Sequence, residues 1–206
     1  MRLGPLTVRT GEDRPVLPAP GGVRVARAAD APGLYALSEP FMRTGALRRR
    51  TPHVYAAGFA EFFVAEDAHG VLEGCVALRT FPRNGLPVTG AAVTEVAGVL
   101  HNFCVRPGRQ RRGIGSRLLT ALLLHASDRS VTEVFAATTG DGEAFLRSGF
   151  RESDTSRAPH TWVAALDPAR GSRIFARPLP GAALPEGSGS LQPWPARHCR
   201  ASTYTR

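Results

Sequence analysis

Apolar and polar positions change their spacing repeatedly along this chain, and each change marks an element. Val23-Arg-Val-Ala26 alternates and predicts a short strand. Asp30 precedes an apolar-periodic run that reaches Met42, with Pro32 in its first turn, so a helix is predicted there. Thr51-Pro52 is a second helix start and leads into Val54-Tyr-Ala-Ala-Gly-Phe59. Phe62–Glu66 and Leu72–Leu78 read as strands joined around Asp67-Ala-His-Gly70, a hairpin signal. Residues 81–90, rich in Pro and Gly, read as a loop. Val96–Val105 is apolar almost throughout, which predicts a buried strand. Leu118, Leu119, Leu122, Leu123 and Ala126 then fall on one face of a helix. Glu133–Ala137 is a strand, Glu143–Ser148 a short helix ending at Gly149-Phe150, and Ser172–Ala176 a last strand. The predicted order is β-α-α-β-β-β-α-β-α-β.

Residues 1–21 and 181–206 show no such period and have linker composition. The folded unit is therefore expected at 22–180, between a flexible N-terminal arm and a disordered C-terminal tail. A chain of 206 residues, 43% hydrophobic, suits one domain with a core. No apolar run approaches the ~20 residues of a membrane span. The first ten residues lack the apolar stretch of a signal peptide. Cys75, Cys104 and Cys199 are few, odd in number and widely spaced, so neither a disulfide framework nor a metal site is expected. A cytoplasmic location is the expectation. The net charge is +9, and the chain contains no lysine. Arginine suits phosphates and carboxylates. Much of the charge lies in Arg48-Arg49-Arg50, in the turn after Val105 and in the tail, so nucleic acid is not expected as a partner.

The turn Val105-Arg-Pro-Gly-Arg-Gln-Arg-Arg-Gly-Ile-Gly-Ser116 links the long strand to the leucine-rich helix. A helix N-terminus presents unpaired N–H groups and partial positive charge, so it favours phosphate. A nucleotide P-loop is excluded because Ile114 stands where its lysine must be, and a Rossmann turn because Leu118 fills the place of its third glycine. Gln110-Arg-Arg-Gly113-Ile-Gly115 instead fits Gln/Arg-x-x-Gly-x-Gly/Ala. This pattern resembles the coenzyme A pyrophosphate loop of the GNAT family of acetyltransferases. Phe145-Leu-Arg-Ser-Gly-Phe150 is similar to the family's helix end before Gly-Phe. Within the family the likeness is to amino-acid N-acetyltransferases of the N-acetylglutamate synthase type. It is carried by Thr44–Thr51, Ala60–Asp67, Gly74–Leu78, Ala137–Thr139 and Gly171–Arg177.

The resemblance implies an α/β (α+β) GNAT fold, with a mixed central sheet splayed between its fourth and fifth strands and flanking helices. It implies acetyl-CoA as cosubstrate, with its pyrophosphate on Gln110, Arg111, Arg112, Gly113, Ile114, Gly115 and Ser116. The pantetheine arm would run along Phe103, Cys104 and Val105, with Phe145 packed on it. A backbone N–H near Phe103 would be the oxyanion donor. Many relatives carry a glutamate six residues before the valine that ends this strand, but Val99 stands there. The expected base is His101, with Glu95, acting through water, as the second candidate; bulk water alone stays open for an amine of low pKa. Arg50 matches a substrate arginine of the amino-acid branch, and Thr139 ends the strand that faces the substrate. The reaction implied is acetyl transfer to a small-molecule amine, an amino acid such as glutamate among the candidates. Acetylation of an antibiotic, another specialised metabolite or a protein N-terminus stays open. So does acyl-CoA or nucleic-acid binding without turnover, because Val99 and Phe145 replace two usual catalytic groups. A homodimer is left open.

Overall fold

The computed structural model describes residues 22–82 and 96–180; the two expected arms and Glu95 lie outside the described residues. A seven-stranded sheet is built from β1 (Val23–Val25), β2 (Phe62–Glu66), β3 (Leu72–Pro82), β4 (Val96–Val105), β5 (Val131–Thr138), β6 (Arg151–Ser153) and β7 (Arg173–Pro178). Its spatial order is β1-β2-β3-β4-β5-β7-β6. Of these pairings, β4–β5 is parallel and the rest are antiparallel. The helices are α1 (Ala31–Arg43), α2 (Pro52–Gly58), α3 (Ile114–Asp128), α4 (Glu143–Arg147) and α5 (His160–Ala164). The predicted mixed sheet, strands and helices are present; of the loop predicted at 81–90, Phe81 and Pro82 belong to β3 and the rest lies outside the described residues. Sequence reading passes over β6, whose Arg-Glu-Ser offers no apolar residue to alternate, and α5, a single turn after Pro159.

Two apolar layers clasp the sheet. The leucine face of α3 and Phe145 of α4 pack with Phe63, Val76, Val134 and Phe175 on one side. Leu34 and Leu37 of α1 and Tyr55 of α2 cover Phe62, Val64 and Cys75 on the other. There Trp162 of α5 packs beside Val99 and Phe135. The approach of α3 requires Gly74 on β3, where a Cβ would lie 2.9 Å from Leu118 and 3.1 Å from Ile114. Asp30 precedes α1 as expected, but its side chain does not cap the helix. Its carboxylate accepts from the Arg27 N–H at 2.6 Å and from the Arg24 guanidinium at 2.7 Å. The same guanidinium reaches Glu66 at 2.6 Å and so ties β1, β2 and the start of α1 together.

β4 is the strand that shapes the site. Its pairing with β5 runs from Val96 to Leu100, opposite Val131 to Ala136, and then ends, while β5 continues to Thr138. This is the expected splay between the fourth and fifth strands. On its other edge, His101 pairs with Ala77 and Cys104 with Cys75, so two residues, Asn102 and Phe103, stand against Val76 alone. This is a β-bulge. Asn102 takes the left-handed conformation, with φ of 52°. The extra residue reverses the alternation of faces. Before it, Val99 points to the side of α1, α2 and α5 and Leu100 to α3; after it, Phe103 and Val105 face α3 and Cys104 the opposite side.

The Asn102 side chain holds the bulge from inside the core. Tyr55 Oη donates to Asn102 Oδ1 at 3.0 Å, and Asn102 Nδ2 donates to Ser38 Oγ at 2.8 Å. Ser38 Oγ in turn donates to the Leu34 carbonyl at 2.7 Å. Burial pushes the Tyr55 phenol up from its ordinary pKa, which keeps it a donor. Asn102→Ala strands the buried Tyr55 hydroxyl and adds left-handed strain, so it should destabilise the fold by about 2–5 kcal/mol in urea unfolding. Asn102→Gly loses the same bonds without the strain and should be about 1 kcal/mol less damaging than Ala.

Candidate active site

The turn before α3 is built for an anion. Gly113 occupies the N-cap in the left-handed conformation, with φ of 77°, and no side chain caps the helix. The first hydrogen bond back into the turn is from Arg117 N–H to the Gly113 carbonyl at 3.0 Å. The N–H groups of Ile114, Gly115 and Ser116 thus lie ahead of the helical ladder and point out of the helix end. Other loop residues serve as braces. Gln110 Nε2 donates to the Val105 carbonyl at 3.1 Å, the Arg106 guanidinium donates to the Leu72 carbonyl at 2.8 Å, and Arg109 pairs with Glu73 at 3.0 Å. Arg111 and Arg112 are left exposed on the turn.

A cavity of about 390 Å³ opens at this turn. Gln110, Arg111, Gly113, Gly115 and Ser116 line it, as do Phe103, Cys104 and Val105 of the strand and Arg147 of α4. Ile114 faces the core at 3% exposure, and Arg112 does not line the cavity. Phe103 also lines a smaller cavity, of about 170 Å³, that occupies the splay with Phe145, Thr138 and His101. Phe145 stacks within 5.8 Å of Phe103 and 5.6 Å of Phe150. Thr138 lines the splay cavity and Thr139 does not. His101, Asn102 and Leu47 are shared with a third cavity, of about 130 Å³, that also touches Arg48, Arg50, Asp167 and Arg170. The three cavities adjoin in sequence, from the α3 N-terminus, past the gap between β4 and β5, to an arginine-rich end. A larger cavity of about 520 Å³ lies beyond α1; its charged residues Asp30 and Arg106 are both committed, to Arg24 and to the Leu72 carbonyl.

His101 lines the second and third of these three cavities. Its Nε2 lies 3.2 Å from Glu61 Oε2, and its ring meets Phe62 edge-on at 5.8 Å. Burial lowers the His101 pKa below the ordinary histidine value, and Glu61 only partly offsets this. Glu61 is itself gripped by Arg79, Nε and Nη2 each at 3.0 Å from a carboxylate oxygen. Burial alone would raise Glu61; the hydrogen bonds from His101 and Arg79 outweigh it and hold it at about 2. Arg50 is half-buried, and its guanidinium makes no hydrogen bond or ion pair among the described residues; burial lowers its pKa. Arg48 donates to the Ala165 carbonyl at 3.2 Å and Arg170 to the Gly45 carbonyl at 2.8 Å. These two bonds fasten the α1–α2 loop to the segment after α5 and wall the arginine-rich end.

Sequence reading brings His101, Arg50 and the cofactor turn to this site. It misses Glu61, Arg79, Asn102 and Arg170. Glu61 and Arg79 meet His101 only through the sheet, and no local spacing signals that meeting. Arg170 adjoins the Gly171–Arg177 segment but carries no period of its own. Among the described residues no three His, Cys, Asp or Glu side chains are grouped to hold a metal, and no helix is long and apolar enough to cross a membrane.

The site is thus framed by a sheet splayed between β4 and β5, a helix end with no side-chain cap and an open strand edge. Residues 58–152 match the acetyltransferase (GNAT) domain. The chain belongs to the GNAT family. It is 31% identical over 139 residues to the amino-acid acetyltransferase of Neisseria meningitidis, covering 68% of this chain and 29% of that protein. It is 29% identical over 157 residues to the amino-acid acetyltransferase of Pseudomonas putida, covering 76% of this chain and 34% of that protein. The solved N-acetylglutamate synthase from Neisseria gonorrhoeae, complexed with coenzyme A and N-acetyl-glutamate, aligns with a TM-score of 0.66 at 29% identity, over 78% of this chain and 35% of that one. The chain thus spans about a third of the length of these relatives.

The free N–H groups, the exposed arginines and the adjoining cavity fit a pyrophosphate followed by a slender arm. Gly113→Asp retains a residue type that tolerates the left-handed conformation, so the fold should survive. It places a carboxylate beside the N–H groups of the α3 N-terminus. Coenzyme A affinity should fall at least roughly 100-fold by calorimetry, the loss of about 3 kcal/mol of charge-assisted bonding. Unchanged affinity would contradict a pyrophosphate site at this turn.

Proposed function

We propose that this chain transfers the acetyl group of acetyl-CoA to the α-amine of an amino acid, with His101 as the base and Arg50 holding the acceptor's carboxylate. The observation that carries the acceptor class is Arg50, a half-buried cation with no acid partner among the described residues, beside the buried imidazole. Three guanidinium groups and one carboxylate, that of Asp167, line the arginine-rich cavity. Asp167 already accepts from the Ala169 N–H at 3.0 Å. A site with such an excess of positive charge favours an anionic acceptor over a polyamine or an aminoglycoside.

Bound acetyl-CoA would supply the thioester. An amino acid arrives as an ammonium and must lose one proton before its nitrogen can attack; His101 accepts that proton. The C–N bond then forms, the C–S bond breaks, and the second amine proton ends on the departing thiol. A backbone N–H near Phe103 would stabilise the negative charge on the carbonyl oxygen. His101 returns its proton to water. The lowered His101 pKa keeps the imidazole unprotonated at neutral pH and ready to accept. The amino-acid acetyltransferases among the relatives support this reading.

The test is thiol release from acetyl-CoA against amino acids, their amides, polyamines and aminoglycosides. Free amino acids should be turned over, and their amides, which lack the carboxylate, should not. Arg50→Gln should raise the acceptor KM roughly 10–100-fold, the value of a charge-assisted hydrogen bond, with the acetyl-CoA KM unchanged. Preference for polyamines, or an unaltered acceptor KM in that variant, would refute the assignment of the acceptor end.

A further inference from the structure

Glu61 lies in the Ala60–Asp67 segment, where no spacing gives it a role in the site. It ends the short turn between α2 and β2, and its carboxylate meets two partners at once. On one side Arg79 of β3 holds both oxygens in a two-pronged pair. On the other, Oε2 lies 3.2 Å from His101 Nε2. A carboxylate gripped by a guanidinium stays ionised, and an ionised carboxylate can only accept a hydrogen bond. The proton between the two groups must therefore sit on Nε2. In neutral imidazole the other nitrogen then carries the lone pair. That nitrogen, Nδ1, is buried and has no hydrogen-bond partner among the described residues.

We propose that Glu61 is a positioning residue for His101: it fixes the imidazole as the Nε2–H tautomer and so makes Nδ1 its basic nitrogen. The proposal rests on the acetyltransferase reading for the role of His101. When the ring accepts a proton, the new positive charge lies against the Glu61 carboxylate, which stabilises it. Arg50 and Arg79 act in the opposite sense, as cations near the same ring. Arg79 is half-exposed and is the weaker of the two. Glu61 is thus the group that lets a buried imidazole, flanked by arginines, gain a charge during the reaction. Phe62 fixes the ring plane from the side. The carboxylate and the histidine come from elements 40 residues apart in sequence.

The experiment is ¹⁵N NMR of the imidazoles in the full chain without ligands, with His101 assigned by the resonance lost in His101→Gln. The wild-type protein should show the Nε2–H tautomer at His101. In Glu61→Gln the His101 titration midpoint should move to lower pH, because the anion that favoured the imidazolium is gone. In the same variant kcat should drop by roughly tenfold or more, a share of the 10²–10⁴ that general-base catalysis contributes. The acid limb of its pH profile should move the same way as the midpoint, and the acetyl-CoA KM should stay as in wild type. An Nδ1–H tautomer in the wild-type protein would overturn the proposal, and so would an unmoved midpoint in Glu61→Gln, even with kcat reduced. The wild-type tautomer needs no variant to fold and no acceptor to be known. Failure of the pairing is therefore distinct from absence of acetyl transfer, which the thiol-release assay reports.

Discussion

Everything at this site depends on β4 leaving β5 after Leu100. A strand inside a parallel pair has its edge filled by its neighbour and can offer nothing to a ligand. Here the neighbour departs, and the backbone from His101 to Val105 gains a free edge in the middle of the sheet. The bulge at Asn102 makes the second half of the strand usable. By reversing the alternation of side chains it sends Phe103 and Val105 toward α3 while His101 stays on the α1–α2 side. One strand thereby borders two rooms, the cavity at the α3 turn on one side and the arginine-rich cavity on the other. The left-handed residue that permits this is held by three elements through Tyr55, Ser38 and Asn102 itself.

Groups that a stable fold would ordinarily satisfy are left unsatisfied along the cavities beside this gap. The N-terminus of α3 has no side-chain cap, the Arg50 guanidinium has no acid partner, and His101 Nδ1 is buried without a hydrogen bond among the described residues. Each costs stability in the free protein. Elsewhere arginines are paired: Arg24 with Asp30 and Glu66, Arg173 with Glu152. Unmet polar groups concentrated in adjoining cavities mark where a ligand completes the structure. Their order, N–H groups, then imidazole, then guanidinium, matches phosphates, reacting amine and carboxylate.

Much of this was legible in the sequence because it is local. The α3 leucines, the Gly113 turn and the apolar run of β4 are each written in a dozen consecutive residues, and the layout of the sheet was implied by the family resemblance they carry. The position of His101 was readable as a distance along one strand from Val105. The bulge was not, because Asn102 looks like any polar residue in an apolar strand until its side chain is seen bonding Tyr55 and Ser38. Glu61 and Arg79 were invisible for the same reason, since their meeting with His101 is made by sheet register and not by spacing. Asp30 shows the converse: a helix-capping residue by pattern, it is drawn away by Arg24, whose charge pair is stronger than a cap.

The central claim is that the cofactor turn and the arginine-rich end are two halves of one site, joined through the gap between β4 and β5. The most direct measurement is the affinity of a bisubstrate compound, coenzyme A linked by an acetyl bridge to the α-amine of an amino acid, set against coenzyme A alone. If both halves are engaged at once, the compound should bind at least about 10²-fold more tightly, as analogues that span a reacting pair do. The gain should vanish when its amino-acid carboxylate is converted to an amide. Affinity no better than that of coenzyme A alone would show that the arginine-rich end is not where the acceptor meets the thioester.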